Sequence, residues 1–316
     1  MKQALDGIKF LLLLSTVFLV IFSSGCVTTG KERTGGPGIV IEKFEPSLSM
    51  IESGEPVSLR LEVRNVGGYN NAPVVAEIMD IDPTEWQVSG GTIRSLGTLL
   101  MPDPESNTQG QKASATWDLI APYLKRGQEL PYQARARVYY YYETIATKPV
   151  WFVTTDELRR IVRMGEALPS EPTIYTNGPL SVTIDAGQFV KAREWRESKF
   201  QLQIRIDNNG NGQVLGRNYP VGIEVKWPSW VTPVGGMCPA QTVTPLFQDV
   251  PPGLPQPTTS RYILLWNGRY ADITCEFMIT QPPSSRTKGN FEVKLAYDYF
   301  TDATTQITVK GTEEYM

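Results

Sequence analysis

From Val57 to Arg64 the chain alternates without a fault, with Val57, Leu59, Leu61 and Val63 on one side and Ser58, Arg60, Glu62 and Arg64 on the other. A side-chain period of two marks a strand with one face on a core and one in water. Gly54-Glu55-Pro56 opens the run, and Asn65-Val66-Gly67-Gly68 closes it with turn chemistry, since glycine reaches positive φ at little cost. At a spacing of 143 residues the pattern returns: Phe200, Leu202, Ile204 and Ile206 take the inward positions, and Asn208 and Gly210 replace Asn65 and Gly67. Trp86 after Pro83 is answered by Trp230 after Pro228. Further on, Ala134, Ala136, Val138, Tyr140 and Tyr142 match Phe291, Val293, Leu295, Tyr297 and Tyr299 at a spacing of 157, as Ala146-Thr147 matches Ala303-Thr304. The wider spacing gives the second copy about 14 extra residues, and the proline-rich stretch Pro239 to Thr259 is where they fit.

Each copy is a run of short strands separated by Gly, Pro and Asn clusters, the pattern of a β-sandwich. The expected fold is all-β: two tandem immunoglobulin-like β-sandwich domains joined by a short helix, behind an N-terminal signal or anchor segment. The expected division is 1–25 signal or anchor, 26–37 flexible tether, 38–153 first sandwich, 154–171 linker helix and 172–316 second sandwich, with an insertion near 239–259. For the helix, Thr154 and Glu157 form a capping box, Leu158, Ile161 and Val162 a narrow apolar stripe, and Gly165 with Pro169 a stop. Arg159, Arg160 and Arg163 are read as its solvated side. The strand, the Asn-x-Gly turn, the loop from Pro to Trp and the late Tyr-rich strand resemble the CARDB group of adhesion-like modules, immunoglobulin-like sandwiches of bacterial and archaeal surface proteins. The resemblance covers most of 38–153 and 172–312. It implies spacing, adhesion or the presentation of a neighbouring domain, often beside carbohydrate-active enzymes, and it brings no catalytic residues.

The N-terminus speaks to location. Lys2 and Lys9 precede a mostly apolar run, Phe10 to Phe22, followed by Ser23-Ser24-Gly25-Cys26. This is the order of a secretory signal. Cys26 sits where a lipobox would place its lipidated cysteine, although Ser23 stands where that motif usually has Leu. Three outcomes stay open: a chain beginning at a lipidated Cys26, an uncleaved helix anchor, and cleavage with release. The first two hold the protein on the extracytoplasmic face of the membrane, by lipid or by helix. Cys238 and Cys275 are then left as a disulfide pair suited to an oxidising compartment.

Composition excludes much chemistry. The chain has no histidine among 316 residues, which removes Ser-His and Cys-His catalysis and His-ligated metals. Loss of residues 1–25 takes away Lys2, Lys9 and Asp6, leaving 28 basic and 32 acidic residues, no footprint for nucleic acid. Asp207-Asn208-Asn209-Gly210-Asn211-Gly212 fits the first half of a calcium loop, but Asn218 stands where the bidentate Glu belongs. The segment reads instead as the counterpart of the Asn65 turn. Asp80, Asp82, Asp298 and Asp302 read as scattered surface charge, and Trp86, Trp117, Trp230 and Trp266 as sandwich core. No catalytic residue, metal site or cofactor is expected, and the chain is not expected to be an enzyme. The one unusual surface is predicted where alternation puts Arg135, Arg137, Tyr139 and Tyr141 together, a face open either to packing or to a protein or glycan ligand. The expected partners are the membrane and other cell-surface or envelope proteins, with a glycan as the alternative.

Overall fold

The alternating run becomes β3 (Pro56–Asn65), with Val57, Leu59, Leu61 and Val63 buried. It lies between β1 (Ile39–Pro46) and β7 (Lys112–Ile120), and β5 (Gln87–Val88) completes an antiparallel sheet in the order β1-β3-β7-β5. The second copy repeats this sheet with β10 (Leu180–Asp185), β12 (Ser198–Asn208), β17 (Tyr270–Ile279) and β15 (Val231–Pro233), in the order β10-β12-β17-β15. These coordinates come from a computed structural model that describes residues 38–168, 170–193, 197–246 and 250–312. All of them fall within one compact unit, Gly35–Met316. Cys26 and the apolar leader lie outside the described residues, and no helix among the described residues is long and apolar enough to cross a membrane.

A third sheet belongs to both copies. Its spine is β8 (Glu129–Thr154) and β18 (Arg286–Lys310), 26 and 25 residues long. Strands usually run about 3–10 residues. The two pair antiparallel without a register shift, from Glu129 opposite Lys310 to Val153 opposite Arg286. β4 (Ala72–Met79) and β6 (Ile93–Leu99) extend the sheet beyond β8, while β14 (Pro220–Lys226) and β16 (Tyr262–Leu264) extend it beyond β18. Four short strands fill the free edges of the spine: β2 (Met50–Glu52), β9 (Ile174–Tyr175), β11 (Val190–Ala192) and β13 (Gln213–Val214). Three of them cross over. β2 of the first copy pairs parallel with β18, while β11 and β9 of the second pair with β8, parallel and antiparallel respectively. Phe152, near the end of β8, packs on Phe200 of β12 at 5.7 Å, so each long strand serves both sandwiches. The copies are therefore interlocked through a shared sheet, where the sequence suggests two bodies in tandem.

The helix is not the joint. α1 (Thr155–Met164) buries Ile161 against Val153 and Leu168, but Val162 of its expected stripe is 71% exposed. Thr154 accepts from Glu157 N–H at 3.3 Å, while the Glu157 carboxylate turns to Arg160 at 2.9 Å, so half of the capping box forms. Gly165 closes the helix in the left-handed conformation, φ 65°.

Pairing in β8 and β18 is centred on Tyr141 opposite Asp298, and the four tyrosines flanking that point on the inner face form a quartet. Tyr140 meets Tyr299 at 5.5 Å and Tyr142 meets Tyr297 at 6.1 Å across the strands. Each such ring pair contributes roughly 0.5–1.5 kcal/mol beyond its buried area. Their hydroxyls reach the chain where each copy begins and turns. The Tyr142 hydroxyl accepts from Tyr69 N–H at 3.1 Å, and that of Tyr299 accepts from Gly212 N–H at 3.0 Å, the equivalent position. Leu180 N–H, at the start of β10, donates to Tyr297 at 3.3 Å. The asparagines also correspond. Asn65 Oδ1 accepts from Gly67 N–H at 3.0 Å and Asn208 Oδ1 from Gly210 N–H at 3.2 Å. The supposed calcium loop is this turn.

The glycines of these turns do not adopt positive φ; they are needed for close approach. A Cβ on Gly67 would lie 1.8 Å from the Tyr142 hydroxyl, and one on Gly210 would lie 2.5 Å from that of Tyr299. Gly67→Ala is expected to cost about 1–3 kcal/mol, the usual range for overpacking. Adding Tyr142→Phe removes the struck oxygen, so the double variant should be more stable than the sum of the single changes implies. Urea unfolding of the three variants measures this coupling.

The second copy fills its core differently. Trp117 lies opposite Leu59, whereas Leu202, the equivalent of Leu59, lies opposite Cys275. Cys275 is bonded to Cys238 with Cα atoms 5.7 Å apart, so the disulfide occupies the place of the first copy's tryptophan. Trp266 is not the counterpart of Trp117; it sits at the turn before β17 and is 67% exposed.

Candidate functional site

Register places Arg135, Arg137, Tyr139 and Tyr141 on the outer face of the shared sheet, as alternation requires, with Thr304, Asp302, Phe300 and Asp298 opposite them in that order. The charged half of the face is internally paired. Arg137 Nε and Nη2 donate to the two Asp302 carboxylate oxygens at 2.8 and 2.7 Å, and its guanidinium stacks over Phe300 at 4.0 Å. Arg135 donates to Asp80 at 2.8 Å. The remaining surface forms a shallow recess of about 370 Å³ between Arg137, Tyr139, Phe300 and the segment Gln213–Arg217, with Tyr219.

Of the two outcomes the sequence left open for these tyrosines, packing or a ligand face, the structure shows them covered. Tyr139 is 5% exposed and Tyr141 8%. The Tyr139 hydroxyl donates to Glu77 at 3.0 Å and that of Tyr141 to Glu143 at 2.7 Å. Tyr69 packs edge-on against Tyr141 at 5.8 Å. The proline-rich insertion supplies more of the cover: a Cβ on Gly253 would lie 3.6 Å from Val75, the neighbour of Tyr139 on β4, and Thr259 lies against Gly222, the neighbour of Ala296. Burial and the Glu77 contact raise the Tyr139 phenol to about 12. Burial and Glu143 raise that of Tyr141 further. Neither is an open stacking platform.

The residue that sequence reasoning misread is Asp298, taken as surface charge but buried in the sheet. Opposite Tyr141 at the centre of the spine, it is 1% exposed, and neither carboxylate oxygen has a hydrogen-bond partner. Its backbone carbonyl is used, accepting from Leu215 N–H at 2.8 Å. Burial alone raises its pKa from 3.8 to about 7. The nearby charges belong to Glu143 and Lys294, which pair with each other at 2.9 Å, and to the Arg137–Asp302 pair. Among the described residues no group of three carboxylates or cysteines is placed to hold a metal. The other sequence-selected pair, Cys238 and Cys275, lies in the second copy's core, apart from this face.

No family model matches the chain, and no curated protein matches it. Among solved structures, a Salmonella alpha-2-macroglobulin mutant aligns at 10% identity and a TM-score of 0.24 over 87% of this chain. This chain spans about 16% of the length of that protein. The Enterococcus faecalis adhesin ACE, described as binding its ligands by the collagen hug, aligns at 9% identity and TM-score 0.13, over 86% of this chain and 95% of its own. The collagen adhesin of S. aureus gives 10% and 0.13, over 86% and 92%. Overlaps this partial carry no argument about the fold, which rests on the strand order and register above.

Asp298 sets an expected pH dependence. The unfolded carboxyl ionises from about pH 4 upward, while the folded one stays protonated to about 7. The raised acid therefore costs stability as pH climbs between those values, and the cost is constant above. Between pH 5 and 8 the loss is about 3 kcal/mol. Asp298→Asn should remove that slope and leave other titrations in place, as measured by urea unfolding across pH. An unchanged slope in the variant would contradict the assignment.

Proposed function

We propose that this chain is a membrane-anchored extracytoplasmic module with a structural, adhesive or assembly role and no catalysis. The observation that carries the reading is the Cys238–Cys275 bridge within the second copy's core. It closes a loop of 37 residues and by loop-closure entropy stabilises the fold by ~3–4 kcal/mol, and a bridge of this kind suits an oxidising compartment. Export agrees with the Lys2-to-Cys26 leader, whose lipid or uncleaved helix would hold the body at the membrane. A diacylglyceryl group on Cys26 supplies the two acyl chains that stable anchoring needs. The CARDB-like features of both copies fit the same role, with other envelope proteins as partners. Carbohydrate binding through the Tyr139/Tyr141 face is not favoured, because that face is covered and its hydroxyls are engaged by Glu77 and Glu143.

Intact-mass spectrometry of the protein extracted from membranes of its own host tests the placement. The expected mass is that of a chain beginning at Cys26 with lipid attached, two hydrogens short for the bridge. An unlipidated full-length mass would make residues 1–25 an anchor helix, and recovery of reduced protein from the cytosol would defeat the reading.

A further inference from the structure

Trp266 is 67% exposed at the turn between β16 and β17, whereas Trp86 and Trp117 are fully buried and Trp151, Trp227 and Trp230 are half-buried. An indole is a large apolar surface to leave in water. Its setting is rigid. Trp266 N–H donates to the Tyr270 carbonyl at 2.6 Å, Arg269 N–H to that of Trp266 at 2.9 Å, and Asn208 Nδ2 to that of Gly268 at 3.0 Å. Tyr219 backs the turn: its carbonyl accepts from Leu265 N–H at 3.1 Å, and its ring lies 3.2 Å from where a Gly268 Cβ would stand. Asn218, Tyr219 and Asn267 all take left-handed backbone conformations, with φ of 63°, 58° and 49°. For a bulky aromatic residue this is costly and persists only where the surroundings enforce it.

Trp266, Asn218, Tyr219 and Asn267, with Tyr270 and Asp272, line an open groove of about 550 Å³, within the size range of small-ligand sites. The groove offers the exposed indole of Trp266 beside the rings of Tyr219 and Tyr270, together with two carboxamides and a carboxylate. Carboxamides both donate and accept, and a carboxylate accepts from hydroxyls. Arg205, beside Asp272, is committed, because it stacks on Tyr270 at 4.9 Å and is held by Asp207 at 2.9 Å and Asp272 at 3.1 Å. The exposed Arg217 and Arg269 are neighbours in sequence but do not line the groove, so its own walls carry no cation for an anionic ligand. We propose that this groove binds a neutral saccharide, with the apolar face of a sugar ring stacked on Trp266 and its hydroxyls bonded by Asn218, Asn267 and Asp272. The site is separate from the Tyr139/Tyr141 face and goes beyond a purely structural role.

The test is calorimetric titration of the full chain in detergent with neutral hexasaccharides of the β-1,4-glucan, chitin and α-mannan types, beside a heparin hexasaccharide as the charged probe. At least one neutral probe should bind at millimolar concentration or below. Trp266→Ala should weaken it tenfold or more, with the melting temperature unchanged because the ring is exposed. Trp266→Phe, which keeps a flat ring and guards against misfolding, should weaken it less. Binding of no neutral probe, binding of the heparin fragment alone, or undiminished binding by Trp266→Ala would each overturn the proposal.

Discussion

Everything in this molecule hangs on one antiparallel ladder, the unbroken pairing of β8 with β18 from Glu129–Lys310 to Val153–Arg286. A strand of ordinary length would end within one sandwich. These run through two, and each collects partners from both copies on its free edge. Because side chains alternate across a sheet, one register fixes which residues enter both cores at once, and a slip of a single residue would turn both inside out. The tyrosine quartet at the centre marks that register with ring contacts and with hydroxyls that reach the turns of each copy.

That central position also explains the site. Midway along the ladder the strands are buried on both faces, from Val138 to Tyr142 and from Leu295 to Tyr299. The inner face accepts this readily, since its residues are apolar or tyrosines with partnered hydroxyls. The outer face carries Tyr139, Tyr141 and Asp298, and is covered by Tyr69 and by the insertion that the second copy alone possesses. Tyr139 and Tyr141 meet burial by donating to carboxylates. Asp298 has no such donor and meets it by holding its proton.

What the sequence disclosed follows from what alternation encodes. Period two identifies faces, so the inward sets at Val57–Val63 and at Tyr140 and Tyr142 and the grouping of Arg135, Arg137, Tyr139 and Tyr141 were legible. The odd cysteine count pointed to the Cys238–Cys275 pair. Alternation does not encode partners, and so the sharing of one sheet by both copies was hidden, as was the cover over Asp298, which comes from residues far away in sequence. Trp266 was misplaced because its distance from Trp230 resembles that of Trp117 from Trp86. Register shows the true equivalent of Trp117 to be Cys275. Gly67 was read for its backbone freedom, but its role is to leave room for a hydroxyl.

The interlocking of the copies is the central claim, and thermal melting of residues 38–153 expressed alone tests it most directly. Without β18 the whole length of β8 loses its partner along one edge, and its far end loses the core of the second sandwich. The fragment is expected to show no cooperative transition and to gain one when residues 172–312 are supplied. A sharp, reversible melt of the fragment by itself would show that the first copy is a self-sufficient sandwich, contradicting the account.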